Sequence, residues 1–135
     1  MKKTNIDLDN KDIASKYGID EDEKKEIINL IYEVLSKNKF YTDPNLKIEQ
    51  FAKKIHVSPR KLSIVINEIT NDSFTSLLNK YRIDEAKKLL LDENNPDKIE
   101  DIYLKSGFNS RSTFNRVFKD FTGLTPKEFK SNQSE

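Results

Sequence analysis

Hydrophobic positions along this chain recur at helical spacing and nowhere alternate convincingly over the length of a strand. After Asp20-x-x-Glu23, a capping pattern, Ile27, Ile31, Val34 and Leu35 share one face and predict a lead helix. Asp43-Pro44-Asn45 breaks it. Two short amphipathic segments follow, at 48–55 and 59–69. Ser58-Pro59 opens the second: the serine oxygen can accept a free N–H, and proline lacks the N–H that would otherwise be orphaned. Residues 73–91 carry Phe74, Leu77, Leu78, Tyr81, Ala86, Leu89 and Leu90 and predict a long helix that stops before Asn94-Asn95-Pro96. Then come a helix over 98–106, a Gly107 turn, a helix over 110–121 and a Thr122-Gly123 stop. A last helix over 125–131 starts at Thr125-Pro126, where Glu128 completes a capping box. Residues 1–20, polar and without a period, read as a flexible lead-in, 21–44 as lead helix and linker, and 132–135 as a tail. The expected fold is all-α.

The segments flanking the long helix repeat each other. Ile48-Glu49-Gln50-Phe51 matches Ile99-Glu100-Asp101-Ile102 at an offset of 51. Beyond the turn, Leu62, Val65, Ile66, Ile69 and Thr70 match Phe114, Val117, Phe118, Phe121 and Thr122 at an offset of 52. Any two short amphipathic helices align to some degree, but here the register stays near-constant over more than twenty residues, shifting by one residue across the turn. Each copy is a short helix, a tight turn and a second helix, which is the helix-turn-helix layout.

The second helix of each copy has a polar side. Opposite Phe114, Val117 and Phe118 lie Ser112, Arg116 and Lys119, flanked by Thr113 and Asn115, with Ser110 and Arg111 at the helix start. Arginine can fork onto guanine O6 and N7, and Asn, Ser and Thr can reach base edges or phosphates. On a lone helix the plain alternative, a solvated basic face, is the better reading. The equivalent face of the first copy holds Arg60, Ser63, Ile64 and Asn67, with Lys61 beside it. Ile64 stands where the second copy has Arg116, and Asn67 where it has Lys119. An exposed isoleucine there could touch a thymine methyl or pack on a partner. A helix over 73–91 spans about 28 Å, of the same order as the roughly 34 Å between successive major-groove faces of DNA.

Bulk charge hides this polarity. The 135 residues carry a formal net charge of +1, yet residues 105–130 hold six basic and two acidic side chains, whereas the first 40 hold eight Lys against nine Asp or Glu. No apolar run reaches the length of a membrane span, and no signal-peptide pattern is seen. The absence of cysteine removes disulfides and thiolate metal sites. His56, the one histidine, has no ligand cluster around it in sequence, so neither a metal nor another cofactor is expected. Asp84-Glu85 and Glu100-Asp101 read as solvated acidic pairs, and no catalytic residue is expected.

VSPRKLSIVINE (57–68), YRIDEAKKLLL (81–91) and GFNSRSTFNRVFKDFTGLTPKEF (107–129) closely resemble the DNA-binding domain of the AraC/XylS family of bacterial transcription regulators. The resemblance covers about residues 45–130 and its second unit looks most like Bacteroidetes members. It implies two homeodomain-like helix-turn-helix units, 46–71 and 98–123, joined by a linker helix over 73–91 and followed by a terminal helix over 125–131. It also implies two recognition helices that read adjacent major grooves of double-stranded DNA. By position the family's contacts fall on Arg60, Lys61, Ser63 and Ile64, and on Arg111, Ser112, Thr113 and Arg116. Ile64 departs from the arginine or other polar residue common there. Further expectations are a cytoplasmic location without membrane contact, RNA polymerase as a second partner, and an N-terminal sensor region outside this chain. The alternative is a helical protein-interaction module whose first unit serves a partner instead of DNA.

Overall fold

The computed structural model describes residues 15–133, Gln133 in its backbone only, and all regular structure among them is helical. They form two compact units, one of residues 15–39 and 46–77, the other of 40–45 and 78–133.

In the first unit, α1 (Glu21–Asn38) begins where the Asp20 carboxylate accepts the Glu23 N–H at 2.8 Å, and ends at Lys39 in the left-handed region, φ 49°. Helix α2 (Ile48–Lys54) and α3 (Pro59–Thr70) follow, with Ser58 capping α3 by accepting the Lys61 N–H. Ile27, Ile31 and Leu35 of α1, Phe51 and Ala52 of α2, and Leu62, Val65 and Ile66 of α3 are buried. Two ion pairs fasten α1 to α3: Lys24 to Glu68 at 2.9 Å and Glu23 to Lys61 at 3.0 Å. Hydrogen bonding to Glu68, then to Glu21, raises the Lys24 pKa and keeps that ammonium charged.

Helix α4 (Phe74–Leu91) starts in the first unit, where the Phe74 ring meets Phe51 edge-on at 5.5 Å, and contributes most of its length to the second. There Ile83, Ala86 and Leu90 join Ile102 of α5 (Ile102–Ser106), and Phe114, Val117 and Phe118 of α6 (Arg111–Thr122), in one core with Phe108. Phe129 of α7 (Pro126–Gln133) closes that core by standing edge-on to Phe118 at 5.5 Å. Residues 40–45 belong here too. Buried Arg82 donates from Nε to the Tyr41 carbonyl at 2.6 Å and from Nη2 to the Asp43 carbonyl at 3.0 Å. The Tyr41 hydroxyl donates to Glu85 at 3.3 Å, and burial, with the Glu85 charge adding to it, pushes the phenol up to about 12.

Several expectations are corrected. The 21–44 segment is more than a lead helix and linker: α1 is an integral helix of the first unit, and its connection to α2 is held in the second. The lead-in over 1–20 is partly packed. Residues 1–14 lie outside the described ones, but Ile19 is 3% exposed and Asp20 caps α1. The helix expected over 98–106 is a 3-10 turn at Ile99–Asp101 followed by α5, and the last helix continues to Gln133, so residues 132–133 are no tail. Glu85 is buried against Tyr41, not solvated, and Phe121, which the repeat matches to half-buried Ile69, is 48% exposed.

Ile19→Ala tests the packing of the lead-in. Truncating a buried isoleucine costs about 2–5 kcal/mol where the site cannot collapse. A lowered midpoint in a urea or thermal melt is the expected outcome; an unchanged one would return residues 15–20 to the status of a free lead-in.

Candidate nucleic-acid interface

The two helix-turn-helix segments share their turn, cap and helix-end hydrogen bonds. In the turns, Val57 N–H donates to Ala52 O at 3.0 Å and Phe108 N–H to Tyr103 O at 2.9 Å. The residue before each is left-handed, His56 at φ 58° and Gly107 at φ 107°. Ser58 accepts the Lys61 N–H at 3.1 Å, and Ser110 accepts the Thr113 N–H at 3.2 Å. At the helix ends, the Thr70 hydroxyl donates to Ile66 O and the Thr122 hydroxyl to Phe118 O, at 2.7 and 2.8 Å. Left-handed Asn71 and Gly123 then return their N–H groups to Asn67 and Lys119, each at 2.7 Å. The correspondence continues into the next helix. Ser76 N–H donates to the Ser73 hydroxyl, and Glu128 N–H to that of Thr125, at 3.2 and 3.1 Å.

This scaffold turns the apolar stripe of α6 inward and leaves Arg111, Ser112, Thr113, Asn115, Arg116 and Lys119 exposed. Ser110 is half-buried; its hydroxyl is occupied as the cap and donates to Thr113 Oγ1 at 2.9 Å. Two of the cations are held by carboxylates of the same unit. Arg111 Nη2 meets Asp101 at 3.0 Å, with the guanidinium 5.8 Å from the Tyr103 ring centre, and Arg116 meets Asp120 one turn on at 3.8 Å. Such exposed pairs contribute roughly 0–1 kcal/mol, so a phosphate or base edge can displace the carboxylate. Asn115 borders a cleft of about 420 Å³ with Thr125 and Lys127, polar neighbours from the start of α7 that the sequence pattern did not bring to this face.

On α3, Arg60, Ser63 and Asn67 are exposed, whereas Lys61 and Ile64 are half-buried, so Ile64 is less open than an exposed isoleucine on that face would be. Asn67 Nδ2 lies 3.4 Å from the Asp72 carbonyl. Lys61 is paired with Glu23, and Arg60 stacks over the Tyr17 ring with its guanidinium carbon 4.4 Å from the ring centre. Among the described residues there is no cluster of three or more His, Cys, Asp or Glu able to hold a metal ion, and no helix long and apolar enough to cross a membrane.

The folded class is a double helix-turn-helix domain. The profile of the family described as "Helix-turn-helix domain" matches residues 51–132, and the chain belongs to that family, in its AraC type. It is 34% identical over 90 residues to an uncharacterised HTH-type transcriptional regulator of Staphylococcus aureus strain N315, covering 66% of this chain. It is 33% identical over 93 residues to the arabinose operon regulatory protein of Escherichia coli K12, covering 69% of this chain. The chain spans 12% of the length of the first of these relatives and 31% of the second. The C-terminal domain of AraT, a response regulator from Geobacillus stearothermophilus, superposes with a TM-score of 0.65 at 26% identity, covering 78% of this chain and 84% of that one.

Proposed function

We propose that this chain is the DNA-binding output domain of a transcription regulator, with α3 and α6 each reading a major-groove segment of double-stranded DNA. The observation that carries the reading is the exposed face of α6, where Ser112, Asn115, Arg116 and Lys119 project from a helix fixed by a capped turn and a phenylalanine core. Arg116 is the principal base reader and Lys119 a phosphate contact; Arg60, Lys61, Ser63, Ile64 and Asn67 form the weaker reading face on α3. A sensor region elsewhere in the same protein, contact with RNA polymerase and a cytoplasmic location belong to this proposal, and the matches within much longer regulators support the first.

Selection of bound sites from a random duplex library, followed by footprinting, tests it. The expected protection spans two successive major grooves, about 20 base pairs. Arg116→Ala is expected to weaken specific binding about tenfold or more and to blur one base position, because a bidentate contact is worth roughly 1–3 kcal/mol of discrimination. Ile64→Ala is expected to cost less. An absence of any sequence preference at low salt favours the protein-interaction alternative, and a larger loss from Ile64→Ala at unchanged stability removes α6 as the main reader.

A further inference from the structure

Two cations in the first turn of α3 are covered by Tyr17, in the segment that leads into α1, and by Glu23, in the first turn of α1. Arg60 lies over the Tyr17 ring at 4.4 Å, and Lys61 pairs with Glu23 at 3.0 Å. The cover is anchored. Gly18, at φ 76°, turns the chain directly after Tyr17, Ile19 is 3% exposed, and Asp20 holds the N–H of Glu23 at 2.8 Å. Tyr17 itself is 50% exposed, with the Arg60 guanidinium against its ring. The second unit offers a contrast, because its first-turn cation, Arg111, is paired from within its own helix-turn-helix by Asp101. In the first unit the partners come from outside the helix-turn-helix, 43 residues upstream for Arg60 and 38 for Lys61.

We propose that Tyr17 and Glu23 form an autoinhibitory clamp on Arg60 and Lys61, so that the lead segment sets how strongly the first unit grips the DNA backbone. The inference rests on the DNA-binding reading above. A phosphate approaching the start of α3 competes with the Glu23 carboxylate for the Lys61 ammonium, and with the Tyr17 ring for the Arg60 guanidinium. A half-buried ion pair and an exposed cation–π contact are each weak enough to be displaced, and strong enough to lower affinity about threefold. Displacement of Tyr17 and Glu23 therefore tightens the hold on DNA by freeing Arg60 and Lys61 of the α3 face for phosphate.

The test uses the full chain and a fluorescent random-sequence duplex, titrated at several salt concentrations. Tyr17→Ala with Glu23→Gln is expected to tighten binding roughly tenfold at low salt and to steepen the salt dependence, by up to about 0.9 in log–log slope for each additional phosphate neutralised. Glu26→Gln, which neutralises an exposed carboxylate one turn further along α1, controls for net charge and should give a much smaller change with an unaltered slope. A DNA-independent readout is the ring-current shift of the Arg60 side-chain NMR signals, expected in the native chain and absent in Tyr17→Ala. Equal or weaker duplex binding by the double variant at unchanged melting temperature overturns the clamp, as does absence of the ring-current shift. A native ring-current shift with no duplex binding by any variant sinks the DNA-binding reading itself, and with it the inhibitory role of the contact.

Discussion

Gly107→Ala is expected to destabilise the second unit by about 2–5 kcal/mol, combining the cost of a left-handed residue with that of overpacking. Two independent constraints meet at this glycine. Its φ of 107° lies where side chains are strained, and a methyl group there would overlap the Tyr41 carbonyl oxygen and come within 2.9 Å of Thr42 Cα and 3.0 Å of Arg82 Nε. Two of those atoms are backbone, and Arg82 is itself held by the Tyr41 carbonyl, so the neighbours cannot swing away. The repeat supplies the control. His56 occupies the same turn position in the first unit at φ 58°, in the small left-handed region that histidine visits more often than most residues. His56→Gly is therefore expected to stay within about 1 kcal/mol of the native chain. Because two units need not melt together, amide exchange resolved along the chain is the suitable measurement. Faster exchange over 99–118 in Gly107→Ala, with little change from His56→Gly, is the expected pattern; equal effects from both would remove the close approach to Tyr41 as the cause.

What was legible in the sequence was local. Caps such as Ser58 and Ser110 act over three residues, the stop at Gly123 over four, and the apolar stripes of α3 and α6 over seven. Their repetition at offsets of 51 and then 52 residues made the architecture legible. The larger failures involve partners far apart in sequence or the place where a helix leaves its core. Ile19 stands in a polar stretch whose apolar residues keep no period, so nothing in the spacing reveals that it is buried. Glu85 looked like half of a solvated acidic pair, because Tyr41, its donor, is 44 residues away. Phe121 kept the spacing of a core residue, yet at the last turn of α6 the stripe has run past the core and the ring is exposed.

The candidate interface divides in the same way. Residue types and the polar side of α6 could be read off helical geometry, and the structure leaves most of that face exposed. The electrostatic state of the cations could not. Asp120 is one turn from Arg116 and legible, but Asp101 reaches Arg111 across the turn, and Glu23 reaches Lys61 only because α1 folds against α3.

Arg82→Met is expected to release residues 40–45 from the second unit at a cost of about 3–5 kcal/mol. The side chain is 7% exposed, and its charge is stabilised by backbone carbonyls: Tyr41 O and Asp43 O accept from it, while Asn79 Oδ1 lies at 3.5 Å. Burial lowers the Arg82 pKa, with the Asp43 charge opposing, but a guanidinium stays protonated throughout the working range. Methionine fills much of the volume and offers no donor, so two carbonyls positioned for a fork lose it together. Lysine retains the charge but presents a single ammonium in place of the planar fork, and should recover only part of the loss. The readout is exchange of the Asp43 amide, which donates to Phe40 O at 3.0 Å within the held segment. Unchanged protection there in Arg82→Met would show that Tyr41 packing alone fixes the segment, through its ring 5.6 Å from Tyr81 and its hydroxyl on Glu85. Because the same unit carries α6, loosening it should also lower affinity for a selected duplex. Saturating DNA should in turn restore protection, since a ligand that binds only the folded form stabilises it by mass action.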